Sequence, residues 1–158
     1  FGIYTLVLWI LALVIVPAIV YLFSYAGVQM SKSNTARKDA FLASAGALLP
    51  MGLLLWIAFV IPMLFVNTTF IIQSVSDPFG WGWDFFGTAN IPWHQFMPRL
   101  VPWLQSGLVL TGLYLSLRNL KNTWLPLGLK PGQLLRMVLP MGVFITGTAV
   151  AMILFYTN

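Results

Sequence analysis

Of 158 residues, 59% are hydrophobic and only 7% charged, with a mean hydropathy of +0.90; an average soluble domain is about 25% charged, so a water-facing globular surface is excluded and an integral membrane protein is expected. The net charge of +5 comes from eight basic and three acidic residues, but the basic residues are scattered among short connections and make no face for nucleic acid. With no cysteine, the chain itself can supply no disulfide, iron–sulfur ligand, thiolate zinc site or c-type haem attachment.

The first apolar segment covers residues 3–27 and carries no charge. About 20 helical residues cross a 30 Å hydrocarbon core, so this segment spans with tilt. It lacks a basic leader and is too long for the apolar part of a signal peptide. Since the chain opens on Phe1 rather than Met, a piece of a longer polypeptide is the expectation.

Further apolar segments cover residues 41–65, 100–117 and 134–156. They are continuously apolar, lack two-residue alternation and exceed the length of barrel strands. Pro17, Pro50, Pro62 and Pro140 fall in or near these segments; inside a bilayer such prolines kink helices, because neighbouring groups re-satisfy the freed carbonyls. The predicted fold is all-α: one membrane domain over residues 1–158, with four transmembrane helices and a long aromatic loop, residues 67–99, between the second and third.

The connections fix the orientation. Lys32, Arg37 and Lys38 lie between the first two segments, and Arg118, Lys121, Lys130 and Arg136 between the last two, whereas the aromatic loop carries only Arg99 with Asp77 and Asp84. Basic connections stay in the cytoplasm, so both termini and the aromatic loop are expected outside.

Helices in lipid associate through small residues and polar links. Gln105, Gly112 and Ser116 share one face of the third segment, and Gly142 and Gly147 begin small-residue pairs in the fourth. These are expected to pack helix against helix, with Gln105 as a hydrogen-bonding handle. No charge sits at the centre of a span, which argues against a proton or ion path within the chain.

The loop stretch "SDPFGWGWDFFGTANIPWHQFMPR" holds three of seven tryptophans, the only histidine and two of the three acids. Three readings stay open. The rings can form an interfacial belt and lid. They can wall a quinone site in which His94, Asp84 and Arg99 meet the carbonyl oxygens, and a histidine of ordinary pKa can exchange the accompanying proton. They can also dock an extracytoplasmic partner. Candidate residues for the quinone or partner site are Trp81, Trp83, Asp84, His94 and Arg99. One histidine and no cysteine make no metal site; His94 can at most be a single axial ligand to a haem or pigment completed by other subunits.

"DPFGWGWDFFGTANIPW" followed by "VPWLQSGLVLTGLYLSL" resembles the C-terminal membrane region of bacterial membrane polyferredoxins, multi-span 4Fe-4S proteins similar to the membrane ferredoxins that serve periplasmic nitrate and nitrous oxide reductases. The matching positions are Asp77, Pro78, Gly80, Trp81, Gly82, Trp83, Phe86, Gly87, Thr88, Trp93 and Gln105, within residues 77–117. The resemblance implies an inner-membrane protein that passes electrons between quinone and redox partners. Because cysteine is absent, any cluster belongs to another portion or another subunit.

The expected function is therefore a membrane anchor subunit of a respiratory or other electron-transfer complex, non-catalytic by itself and contributing at most to a quinone site. Haem, iron–sulfur clusters or pigments would sit in partner subunits. Its partners are the bilayer and other subunits, one of them extracytoplasmic on the aromatic loop, and not nucleic acid. The alternatives are a small transporter or assembly component, and a structural subunit of a photosynthetic pigment complex.

Overall fold

The computed structural model of the protein describes residues 2–157, which form helices and turns with no strand among them. Four rods follow one another: α1 (Gly2–Ser31), α2 (Arg37–Ser76), α3 (Val101–Trp124) and α4 (Pro131–Thr157). By length and composition, α1, α2 and α4 can each cross a membrane. α3 has the length, with 24 residues or about 36 Å, but it carries Gln105, Ser116, Arg118, Asn119, Lys121 and Asn122. Of the four transmembrane helices expected, three are apolar enough to span, and the third in order is a more polar helix that turns several of its polar side chains onto α2.

The helix ends depart from the expected ones for local reasons. α2 begins at Arg37, with Asp39 in its first turn, where the helix dipole favours a carboxylate. It then runs to Ser76, so residues 67–76, expected in the loop, are helical. Asn67, Thr68 and Ser74 stay in the helix because their side chains bond carbonyls one turn back, at 2.8, 2.7 and 2.9 Å. The helix stops where Pro78 denies its predecessor the α region: Asp77 has φ −132° and ψ 72°. α3 continues past residue 117 to Trp124, with Lys121 in its last turn, the favoured end for a cation. Pro131 opens α4, where its missing N–H leaves no bond unmade.

Within α1, residues Leu11–Ile15 form a π turn in which the Val16 N–H reaches the Leu11 carbonyl. Pro17 follows immediately, and the widened turn accommodates its ring without ending the helix.

α2 packs most extensively on α3, α1 on α4, and α3 on α4, while α2 and α4 meet only marginally across the diagonal. One core cluster joins Val20 of α1, Ala40 and Ala47 of α2, Leu120 and Trp124 of α3, and Met137 of α4. It gathers the end of α1, the start of α2, the end of α3 and the start of α4, so both basic connections lie at one end of the bundle. A smaller cluster of Met51, Val109 and Ala149 continues the core away from that end.

Two glycines set the helix spacing. A Cβ on Gly27 would overlap the Met137 carbonyl of α4. One on Gly112 would lie 3.1 Å from Met51 Sδ and 3.3 Å from Met51 Cα. By contrast, Gly142 has only a Leu117 methyl at 3.8 Å, and nothing lies within 4 Å of a Cβ on Gly147. The side chains of α1 from Ile3 to Val16 are exposed, so the first half of that helix stands away from the bundle.

Candidate functional site

Residues 77–100 connect α2 to α3 without helix or strand, and two aspartates shape them. The Asp77 carboxylate accepts the N–H of Trp81 on one oxygen and of Gly82 on the other, each at 2.9 Å. Such a turn needs left-handed backbone, which glycine adopts without steric penalty; Gly80 has φ 68° and Gly82 φ 79°. Asp84 Oδ1 accepts the Ala89 N–H at 3.0 Å and the Ser76 hydroxyl at 2.8 Å. The Ala89 N–H first, and then the Ser76 hydroxyl, hold this carboxyl below its ordinary pKa, because both bonds favour the charged form.

The returning limb then lies along the last turns of α2. Thr69 Oγ1 donates to the His94 carbonyl at 3.1 Å and accepts the His94 N–H at 3.3 Å. Gln73 Nε2 donates to the Ile91 carbonyl. The Phe96 N–H meets the Phe65 carbonyl at 3.2 Å, and the two rings pack with centroids 5.9 Å apart. Thr69, Gln73 and Ser76 recur at helical spacing, so one stripe of α2 is committed to holding the limb.

At the tip, alternate residues form a run of rings. Phe79 stacks on Trp81 at 4.9 Å; Trp81 meets Trp83 edge-on at 4.9 Å, and Trp83 meets Phe85 at 5.0 Å. Phe79, Trp81 and Phe85 remain more than 60% exposed. Edge-to-face contacts at this spacing orient the rings as well as burying area.

Of the five candidate residues, Trp81, Trp83 and Asp84 lie together at the tip. His94 is level with Thr69, seven residues back along α2, or about 10 Å. Its exposed ring has Nδ1 3.1 Å from the Pro92 carbonyl. Arg99 lies still nearer the bundle, in a shallow hollow with Met97, Pro98 and Leu100. Among the described residues no hydrogen bond, ion pair or ring contact joins His94 or Arg99 to the tip. Trp81 and Trp83 offer apolar ring surface, Asp84 is occupied by the turn it organises, and the charges of the limb sit apart. That arrangement suits binding a surface better than converging on one small molecule.

A second constellation, in the bundle, gives Gln105 and Ser116 of the expected packing face their partners and adds Asn119, which the sequence did not single out. A proline leaves the carbonyl four residues earlier without its helical donor. Pro50 frees Gly46 O, which accepts Asn119 Nδ2 at 2.9 Å; Pro62 frees Ala58 O, which accepts Gln105 Nε2 at 3.0 Å. Between these bonds the Met51 N–H donates to Ser116 Oγ at 3.0 Å. The usable signal was the spacing: two prolines twelve residues apart on α2 face two amides fourteen apart on the antiparallel α3.

Comparison with known proteins finds no matching family model, no matching curated protein and no matching solved structure.

Proposed function

We propose that the chain is a membrane anchor subunit of a bacterial electron-transfer complex, similar in its cap to the membrane polyferredoxins. It crosses the inner membrane four times, α3 included, with both termini and the 77–100 cap outside. The cap packs against the partner that carries the redox cofactors, and any quinone contact falls to His94 on the returning limb, apart from the tip rings. The observation that carries this reading is the polarity of the bundle. Seven of the eight basic residues lie in the two connections or in the helix ends beside them, gathered at one end by the Ala40–Trp124–Met137 core, and the exposed rings stand at the other. Positive charge stays with the cytoplasm, and exposed Trp and Phe are typical interface anchors.

α3 qualifies as the fourth span because three of its polar side chains, Gln105, Ser116 and Asn119, are spent on the backbone of α2. Lipid then meets mostly apolar surface. The same bonds speak against a transport path at the α2 breaks: a broken helix binds solute through vacant backbone groups, and in α2 both proline-freed carbonyls are taken.

These 158 residues hold no cysteine, so within them an introduced thiol reports one position. Asn90→Cys in the cap should react with an impermeant maleimide on intact cells, and Asn34→Cys should react only after permeabilisation. The reverse pattern would overturn the orientation. For quinone, His94→Ala in the assembled complex should slow quinol-linked turnover; unchanged turnover and inhibitor binding would remove His94 from the site. Asp84→Asn is the poorer probe, because it also loosens the cap.

A further inference from the structure

At the basic end of the bundle, α3 carries cations and aliphatic surface within a single turn. Arg118, Lys121 and Asn122 follow one another at helical spacings of three and four, so they share one face, and all three are exposed. A groove runs along each flank of that face. One, of about 270 Å³, is lined by Lys121 with Pro131, Leu134, Leu135 and Val138 of α4. The other, of about 350 Å³, is lined by Arg118, Asn119 and Asn122 with Leu115 and, from α2, Pro50. Each groove sets one cation beside an apolar wall.

The depth of this face follows from the four-span reading proposed above, on which this inference rests. From Val101, where α3 starts beside Arg99, 30 Å of hydrocarbon is used up after about 20 residues, at Lys121. No charge lies between Arg99 and Arg118. Arg118 and Lys121 therefore stand where hydrocarbon gives way to headgroups, and their long apolar stems let the charged ends reach the phosphate layer. Neither cation has a carboxylate partner among the described residues, and Asp39 on α2 is the only acid at that end of the bundle.

We propose that this face of α3 binds an anionic glycerophospholipid of the leaflet at the basic end. Its phosphate rests on Arg118 and Lys121, the Asn122 amide donates beside them, and its acyl chains lie in the flanking grooves. Charge complementarity selects the headgroup: guanidinium, ammonium and amide N–H are all donors, and no carboxylate lines either groove to meet the amine of a zwitterionic lipid. The grooves select an amphiphile, because Leu115, Leu134, Leu135 and Val138 offer a free phosphate nothing. Basic pockets between membrane helices on the cytoplasmic side bind acidic headgroups in this way.

The full chain in phosphatidylcholine vesicles, with a trace of spin-labelled lipid, tests this at high salt, which screens diffuse attraction more than a seated phosphate. Labelled phosphatidylglycerol should be immobilised in preference to labelled phosphatidylcholine by about fivefold or more. Arg118→Gln with Lys121→Gln, both at exposed positions outside the core, should bring the two lipids level. Lys32→Asn with Lys38→Gln removes the same charge from the other connection and should leave the preference in place; asparagine tolerates the left-handed backbone of Lys32, at φ 49°. Level lipids in the unaltered chain, equal loss in the two double variants, or displacement of the labelled lipid by inorganic phosphate would each overturn the site. A nitroxide on Tyr114→Cys, exposed one turn from Arg118 on the same face, separates this inference from the four-span reading. Relaxation of that label by oxygen keeps α3 in the bilayer, and missing selectivity then counts against the lipid site alone. Relaxation by a water-soluble nickel chelate removes the span and the site together.

Discussion

At the scale of single residues, the glycines separate by what a methyl group would meet. Gly27→Ala drives a Cβ into the Met137 backbone carbonyl, which cannot swing aside as a side chain can, so α1 and α4 must part. Overpacking of this sort costs about 1–3 kcal/mol. Gly112→Ala presses on Met51, whose flexible thioether gives more readily, and a smaller loss is expected. Gly147→Ala meets open space and should be neutral or slightly stabilising, since alanine is the better helix former by about 1 kcal/mol. Unfolding in mixed micelles should rank the three in that order.

Asp84 makes the cap acid-sensitive. Its folded pKa is depressed by the Ala89 and Ser76 bonds, so its contribution is present above the ordinary carboxyl value of 3.8 and is lost as pH falls through the lower folded value. Tip tryptophan emission should stay constant from neutral pH down to that value and change only below it. Asp84→Asn should abolish the transition. A transition that persists in that variant would assign it to another group.

At the scale of elements, α2 is a helix interrupted twice and joined to α3 at each interruption. Gln105→Leu should leave the Ala58 carbonyl buried and unpaired, at a cost of about 1–2 kcal/mol. Pro62→Ala restores an N–H to the helix that can take over the same carbonyl, so the double variant should recover most of the loss. Asn119→Leu with Pro50→Ala should behave in the same way. If the proline replacements rescue nothing, the amides matter for some other reason.

Much of this was legible in the sequence, and the illegible part has a physical cause. Apolar runs betray a helix, but they locate its ends poorly, because hydrophobicity marks lipid contact and not hydrogen bonding. α2 thus runs on through Asn67, Thr68 and Ser74, whose side chains fold back on their own helix, until Pro78 stops it. That Gln105 needed a partner could be read from its cost in lipid. That the partner is a carbonyl released by Pro62 requires knowing which helices are neighbours. In the cap, the Gly and Asp residues of "DPFGWGWD" announce a tight turn, yet the separation of His94 from Trp81 follows only from the way the limb is bound to Thr69 and Gln73.

At the scale of the whole molecule, charge and aromaticity are segregated along one axis. One end carries the basic connections around a core containing Trp124 and Met137; the other carries rings that little in the chain covers. α2 alone runs the full distance, 40 residues or about 60 Å. Any force on the tip is therefore applied at one end of a rod whose joints at Pro50 and Pro62 are both clasped by α3. The two helices are expected to respond as a unit, and the Gln105 and Asn119 variants above should also loosen the cap, seen as faster amide exchange at residues 77–96.

The widened turn at Leu11–Ile15 makes one helix out of two phases. An α-helix advances 100° per residue, so the additional residue in that turn offsets the azimuth of everything upstream by roughly that angle. Tightening that turn to regular α-helix at unchanged chain length would rotate Tyr4 and Trp9 by more than a quarter circle about the axis while leaving the downstream packing on Met137 untouched, whereas excising one residue between Leu11 and Ile15 would restore regular helix and leave them nearly in place. The heading of the first half of α1 is thus set by whether that one turn is wide or tight.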